Sequence, residues 1–385
     1  MTERPHIAFF GHNPLDAAVR RRAFAFEQAG MEVTGFMPFR GDKAETDFKN
    51  IDLGRSEDNA YLKRLTLVYT ASARAMAARD TLNKADLIYA RNLDMLAIAQ
   101  RSRSRLGLTA PLVYECLDVH HKLVGDGSIA RGLRWFEERL LRSCALVVVS
   151  SPRFFTEHFA QHYPGLVEQF LVENRLIAGD AFPARPATPR VFDAAKPLRL
   201  GWFGNLRCRR SLDLMKVLAR TFPERLSIVL RGYAATGVFK DFEGEIADYP
   251  NIEFHGRYRA PDDLEAIYND IDVVWAGDWY EAGANSVWLL PNRIYEGGYF
   301  ATPAIAPDGT ETGAWLKRNK AGLCVAEPVD QTLADLVGRL IDDRTQLVEI
   351  NNQLLCCQTG LFVETSETMR ALVGAATGSG TPAFS

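Results

Sequence analysis

The chain is poor in the features that mark several large protein classes. Its six cysteines are scattered, with no CxxC pair and no cluster at zinc-ligand spacing. They read as reduced, packed thiols of a cytosolic protein. No run approaches the roughly 20 apolar residues of a membrane span, and Met1–Pro5 is too polar to open a signal peptide. Any membrane contact is therefore expected to be peripheral. Charge of one sign is missing too. The formal net charge is −3, which argues against a nucleic-acid binder. The first half is only mildly basic, through runs such as RSRSR (101–105) and Arg131, Arg134, Arg139 and Arg142. Those arginines make an anionic membrane face a candidate partner. GxGxxG and GxxxxGK[ST] are both absent, which disfavours a dinucleotide-dependent Rossmann enzyme and a P-loop NTPase.

What is present is an apolar strand followed by an amphipathic helix, many times over. Strand candidates are 6–11, 31–37, 85–91, 111–117, 144–151 and 169–175 in the first half. The second half offers 198–204, 226–232, 251–256, 271–277, 301–307 and 321–327. This alternation predicts α/β architecture with doubly wound parallel sheets. Between the halves lies AFPARPATPRVFDAAKP (181–197), whose four prolines can continue neither a helix nor a central strand. The expectation is an N-terminal domain over 1–180, a proline-rich linker over 181–197 and a C-terminal domain over 198–352. Two such domains would face each other across a cleft and close about the linker, with ligands at the carboxyl ends of the strands. Residues 374–385 are small and polar and are expected to form a disordered tail.

Candidate site residues follow from those strand ends. Gly11 closes the first strand, and Arg20–Arg22 follow on the next helix as a solvated face or an anion contact. YECLDVHH brings Glu115, Asp118, His120 and His121 to one loop. A carboxylate there can act as general base on an acceptor hydroxyl, Asp118 first and Glu115 second. WFGNLRCRRS offers Gly204 for close backbone approach, Asn205 as an amide, Arg207, Arg209 and Arg210 for phosphate, and Ser211 as a helix cap. Arg257 and Tyr258 are placed to flank a planar base. Asp278 and Glu281 are acceptors for sugar hydroxyls. The DID at 270–272 heads a strand and is read as structural, so no metal is expected to be required.

The most informative stretch is LPNRIYEGGYFATPAIAP (290–307). Pro291 suits a first helical position. Asn292 and Arg293 fall beside free backbone N–H groups, which favour an anion. Glu296 shares their face one turn on and suits a grip on vicinal ribose hydroxyls, with Gly297 and Gly298 giving clearance.

Read together, these segments resemble the GT-B glycosyltransferases, in particular the family 4/family 1-like group that builds bacterial exopolysaccharides. Pro291, Asn292, Arg293, Glu296, Pro303 and Ala306 match the family's Pro-Asn-Lys-Leu-x-Glu…Gly-x-Pro-Val-x-Ala segment, and VYECLDVHH falls where the family often carries Tyr-Asp-x-His-Asp. The resemblance implies two Rossmann-like domains: the second binds a UDP- or GDP-sugar, the first binds the acceptor, and a C-terminal helix over 353–373 crosses back to the first. It implies that Glu296 holds the ribose and that Arg293 with Arg207 holds the diphosphate. It further implies a lipid-linked saccharide acceptor at the inner membrane face. Two positions depart from the pattern: Trp288 stands where many retaining members have Glu, and Leu117 where they have His. Those departures leave an inverting mechanism open. The alternatives are a nucleotide-sugar 2-epimerase of the same architecture and a non-catalytic nucleotide- or sugar-binding scaffold.

Overall fold

A computed structural model describes residues 4–55, 61–119, 121–179, 182–281 and 285–378. The chain divides into two units, residues 1–173 with 365–385 and residues 174–364. In the first unit the strands are β1 (His6–Phe10), β2 (Glu32–Phe39), β3 (Lys49–Arg55), β4 (Leu87–Arg91), β5 (Leu112–Cys116), β6 (Leu146–Val149) and β7 (Glu168–Leu171). They form one sheet in the order β3-β2-β1-β4-β5-β6-β7, and every pair is parallel. In the second unit β8 (Leu198–Leu206), β9 (Leu226–Ala234), β10 (Ile252–Phe254), β11 (Val273–Trp275), β12 (Ala304–Pro307) and β13 (Gly322–Val325) run parallel in the order β10-β9-β8-β11-β12-β13.

Central strands covered on both faces need apolar residues throughout, so β1, β4, β5 and β6 are buried at every position. The strand that periodicity misses, KNIDLGR (β3), is an edge with one neighbour; only its Leu53 is fully buried. Two helices matter for the first unit: α1 (Ala17–Gln28) after β1 and α2 (Leu93–Leu106) after β4. A third, α3 (Ser128–Leu141), follows β5. In the second unit α4 (Arg209–Thr221) follows β8, α5 (Leu264–Asn269) precedes β11, and α6 (Asn292–Tyr299) precedes β12.

The proline-rich segment packs on the second unit. Arg185 donates to the carbonyls of Cys357 (2.6 Å) and Tyr299 (3.3 Å), and Arg190 to that of Tyr268 (2.9 Å). Leu176 pairs with residues 362–364, its N–H donating to Phe362 O at 2.8 Å. The last helix, α7 (Ser366–Thr377), packs on α1 through a fully buried Met369 and through Ser366, which donates to Gln28 O at 3.1 Å. It ends at Gly378 in the left-handed conformation (φ +72°), so the expected tail is helical up to Thr377. Residues 379–385 lie outside the described residues.

In each sheet the winding direction reverses once, between β1 and β4 and between β8 and β11. Crevices of doubly wound sheets open at such points, beyond the carboxyl ends of the strands. Gly11 and Asn92 follow the first pair, and Gly204 and Gly277 lie at the ends of the second.

Candidate functional site

In the second unit the end of β8 is shaped by a glycine pair. Gly204 (φ +104°) lies in register with Gly232 (φ +131°), and a Cβ on Gly232 would come within 1.8 Å of Gly204 O. Only glycines allow these two strand ends to approach so closely. Against this turn lies Arg293, buried in the first turn of α6. It donates to Phe203 O (2.8 Å) and Gly277 O (3.4 Å), and a Cβ on Gly204 would be 3.7 Å from its Nη1. One guanidinium thus ties the end of β8 to the loop after β11. Its Nε is buried with no partner among the described residues. Pro291 proves to be the N-cap of α6, with Asn292 the first helical residue.

Glu296 is one turn deeper and 5% exposed. Its Oε2 accepts from Tyr268 Oη of α5 at 2.8 Å. Burial, and then the Glu296 charge, push the Tyr268 hydroxyl well above the ordinary phenol value, so it stays a donor. Phe203 stands edge-on to Tyr268, 5.2 Å between centroids, and tilted towards half-buried Tyr258 at 6.5 Å. Glu296, Arg293, Tyr268 and Tyr258 therefore form one cluster at this strand end.

The arginines after β8 separate. Arg207 reaches Asp278 (Nε–Oδ2 3.3 Å) and lies over the Tyr280 ring at 5.1 Å, while staying about one-third exposed. Arg209 pairs with Glu245, and Arg210 with Glu327 at 2.7 Å. Ser211 does not cap α4. Cys208 does, its sulfur accepting from Ser211 N, because Ser211 Oγ is turned inward between Trp275 Nε1 (3.0 Å) and Gly277 O (3.2 Å). Asn205 is exposed. Asp278 is nearly buried and also accepts from Tyr280 N at 2.8 Å. Glu281 accepts from Asn285 Nδ2 at 2.5 Å, and half-buried Trp288 ends the short helix Asn285–Trp288. The DID aspartates hold Arg199: Asp270 takes its Nη2 at 2.9 Å and Asp272 its backbone N–H at 2.9 Å. Among the described residues no group of three His, Cys, Asp or Glu could hold a metal ion.

In the first unit the two candidate carboxylates part company. Asp118 is exposed beyond the end of β5. Glu115 is 1% exposed inside the sheet, gripped by Arg91 (2.5 and 3.1 Å) and by Arg22 of α1 (2.9 Å). Burial alone would raise its pKa, but Arg91 and then Arg22 outweigh burial and hold it at about 2. A carboxylate so held is a poor proton acceptor near neutral pH, and Glu115 is a structural ion-pair partner rather than a base. Arg22, read from the sequence as a solvated face or an anion contact, is its buried partner; Arg20 is exposed and pairs with Asp47 at 2.5 Å. Gly11 is buried at the end of β1, a Cβ there falling 2.9 Å from the Met37 side chain. His120 and the side chain of His121 lie outside the described residues.

Sequence reasoning missed His12. It follows Gly11, and its Nε2 lies 3.6 Å from Asp16 Oδ2, both side chains about one-third exposed. Asp16 also caps α1, accepting from Ala18 N (2.9 Å) and Val19 N (3.1 Å). Burial opposes its ionisation, yet His12 and these N–H groups prevail and lower its pKa. On the other side Asn92, at an unusual φ of +73°, places Nδ2 3.5 Å from His12 Nδ1. The available signal was a His four residues before an Asp, in the loop between first strand and first helix.

No family model matches the chain. Among solved structures, sucrose-phosphate synthase from Thermosynechococcus elongatus superposes with a TM-score of 0.71 at 16% identity, covering 95% of this chain and 97% of its own. HepE from Anabaena, in complex with UDP and glucose, gives 0.69 at 17%, covering 98% and 100%. At such identities the likeness is one of fold, and the fold is GT-B. Succinoglycan biosynthesis protein ExoL of Rhizobium meliloti is 38% identical over 347 residues, 87% of this chain and 84% of ExoL. The chain belongs to the GT-B glycosyltransferases of exopolysaccharide assembly. As such it is a nucleotide-sugar-dependent transferase, and the epimerase and scaffold alternatives are not favoured. Among the described residues of this glycosyltransferase no helix is long and apolar enough to cross a membrane.

Proposed function

We propose that the protein transfers a hexosyl group from a UDP- or GDP-sugar to a hydroxyl of a lipid-linked saccharide, at the cytoplasmic membrane face, during exopolysaccharide synthesis. The observation that carries this reading is the cluster at the ends of β8 and β11, where α6 brings buried Arg293 and Glu296 to a glycine-lined turn. Glu296 would accept from the two ribose hydroxyls. Arg293 stands behind the Gly204 turn, so its charge would act on the diphosphate across that turn. Arg207, about one-third exposed beside Asp278, would contact phosphate directly. Together with the helix N-terminus they would stabilise the leaving diphosphate. Tyr258 would flank the base, and Asp278 and Glu281 would meet sugar hydroxyls. The HepE complex with UDP-glucose supports this choice of donor. A thermal-shift screen tests it: a nucleotide sugar at 100 times its Kd stabilises the native state by about 2.7 kcal/mol. If no UDP- or GDP-sugar moves the midpoint, the donor assignment fails.

The acceptor proton has two candidate receivers in the first unit, exposed Asp118 and the His12–Asp16 pair, and the second is favoured by the geometry around Asn92. Point variants separate the two. With His12 as base, His12→Ala lowers kcat about 10²–10⁴-fold, while Asp118→Asn leaves it near the parent value. A parent-like kcat in His12→Ala together with a collapsed one in Asp118→Asn would return the role to Asp118.

A further inference from the structure

We propose that Arg231 selects the base of the nucleotide donor, admitting a base with an exocyclic carbonyl oxygen (uracil O4 or guanine O6) and rejecting one with an amine there. The proposal deepens the nucleotide-sugar reading of the second unit and rests on it. Arg231 lies near the end of β9 and pairs in register with Phe203 of β8. Residues paired in this way share a face of the sheet, and Val229, two residues before Arg231, belongs to the same apolar cluster as Phe203. Arg231 therefore closes this cluster at the carboxyl edge, beside the ring towards which Tyr258 is tilted. The Phe203 ring folds back over Gly201, where a Cβ would be 2.8 Å from it, so its bulk lies away from the strand ends.

What sets this side chain apart is that it holds nothing. It is half-buried, its Nε is buried without a hydrogen-bond partner, and no carboxylate pairs with it among the described residues. The acid on the adjoining strand is engaged elsewhere: Glu253 accepts from Ser227 Oγ at 2.9 Å and lies 3.1 Å from His255 Nε2. Arg257, by contrast, is spent on the Tyr233 ring, 4.9 Å from its centroid. A guanidinium drawn partly out of water without an acceptor forgoes hydrogen bonds it would make in solution. The position reads as a donor kept for a ligand, and its place in the sheet says for which part. The strands run in the order β10-β9-β8-β11. The phosphate candidates Arg293 and Arg207 lie at the ends of β8 and β11, with Glu296 for the ribose. Arg231 stands on the other side of β8, next to the Phe203–Tyr258 pair, so the base edge falls to it rather than the phosphates. A guanidinium carries donors only. Uracil O4 and guanine O6 accept from it, whereas the exocyclic amines of cytosine and adenine turn N–H groups towards a cation that cannot accept them.

The test is calorimetric titration of the full chain with UDP, CDP, GDP, ADP and inorganic pyrophosphate. UDP and CDP match in size and charge, so their difference isolates the exocyclic group; GDP and ADP make the purine pair. The parent is expected to bind one oxo nucleotide about 10–100-fold more tightly than its amino counterpart, the effect of one hydrogen bond to a charged donor. The pair that shows the gap names the base. Arg231→Met keeps the apolar stem and should close the gap, leaving pyrophosphate binding unchanged. Arg231→Gln, which offers an acceptor as well as a donor, should admit the amino bases and close it too, and it reads the same ratio if the Met variant melts early. If the parent binds none of the nucleotides, the donor reading fails and this proposal with it. If it binds UDP and CDP alike and GDP and ADP alike, the donor reading stands and the role of Arg231 is lost. A loss shared equally by the four nucleotides and pyrophosphate in Arg231→Met would make Arg231 a phosphate contact and overturn the proposal.

Discussion

Glu296→Gln is expected to lower kcat/KM for the nucleotide sugar by about 10²–10⁴-fold and to abolish the donor-induced thermal shift. A carboxylate accepting from both ribose hydroxyls makes two charge-assisted hydrogen bonds, each contributing roughly 1.5–3 kcal/mol, and every 1.4 kcal/mol is tenfold. Glutamine keeps the shape and an acceptor for Tyr268, whose hydroxyl lies 2.8 Å from Glu296, so the apo protein should melt close to the parent. Glu296→Ala would also leave that buried hydroxyl unpaired, adding a stability cost of about 1–3 kcal/mol. Tyr268→Phe separates the two effects: it removes the supporting bond but keeps the charge, and should weaken the donor only a little. Parent-like affinity in Glu296→Gln would show that the carboxylate does not grip the ribose.

The proposed donor half of the site is readable in the sequence because it is local. Asn292, Arg293 and Glu296 fall within five residues, and helical spacing alone puts them on one side. The strand pattern was equally plain, since strands covered on both faces must be apolar throughout. Edge strand β3 escaped because it needs only one buried side chain. The role of Arg293 was only half visible. Its charge could be read, but its attachment to Phe203 O depends on a strand 90 residues away. Cys208 capping α4 in place of Ser211 was hidden for a similar reason, since Ser211 is drawn off by Trp275 and Gly277 from the far side of the switch point.

Glu115 shows the same limit in its strongest form. As sequence, an acid at the end of a buried strand is a candidate base. Its partners lie 24 residues upstream at Arg91 and 93 upstream at Arg22, and no local pattern announces them. Their closure also explains how α1 is held, since Arg22 reaches from α1 to β5 and lies 3.6 Å from Met369 of α7. The network therefore joins both ends of the first unit's chain through one carboxylate.

Glu115→Ala is accordingly expected to destabilise the protein by about 3–5 kcal/mol, because it leaves two buried guanidinium groups without their counter-charge. For a unit of this size that corresponds to a midpoint lower by roughly 10 °C in calorimetry. The pH dependence has a definite sign. The carboxyl sits at about 2 in the folded protein, below its ordinary unfolded value. The stabilisation is then fully present above roughly pH 4.5 and disappears as the pH falls towards 2. The parent should lose stability steeply across that window, and the alanine variant less so. Replacing the trio by apolar residues (Arg22→Met, Arg91→Met and Glu115→Leu) should recover much of the loss, since desolvating the charges is itself costly. Glu115→Gln with a parent-like midpoint but a collapsed kcat would instead restore Glu115 as the base. The geometry argues for the opposite: a large change in melting, and a turnover that falls only as far as the folded fraction does.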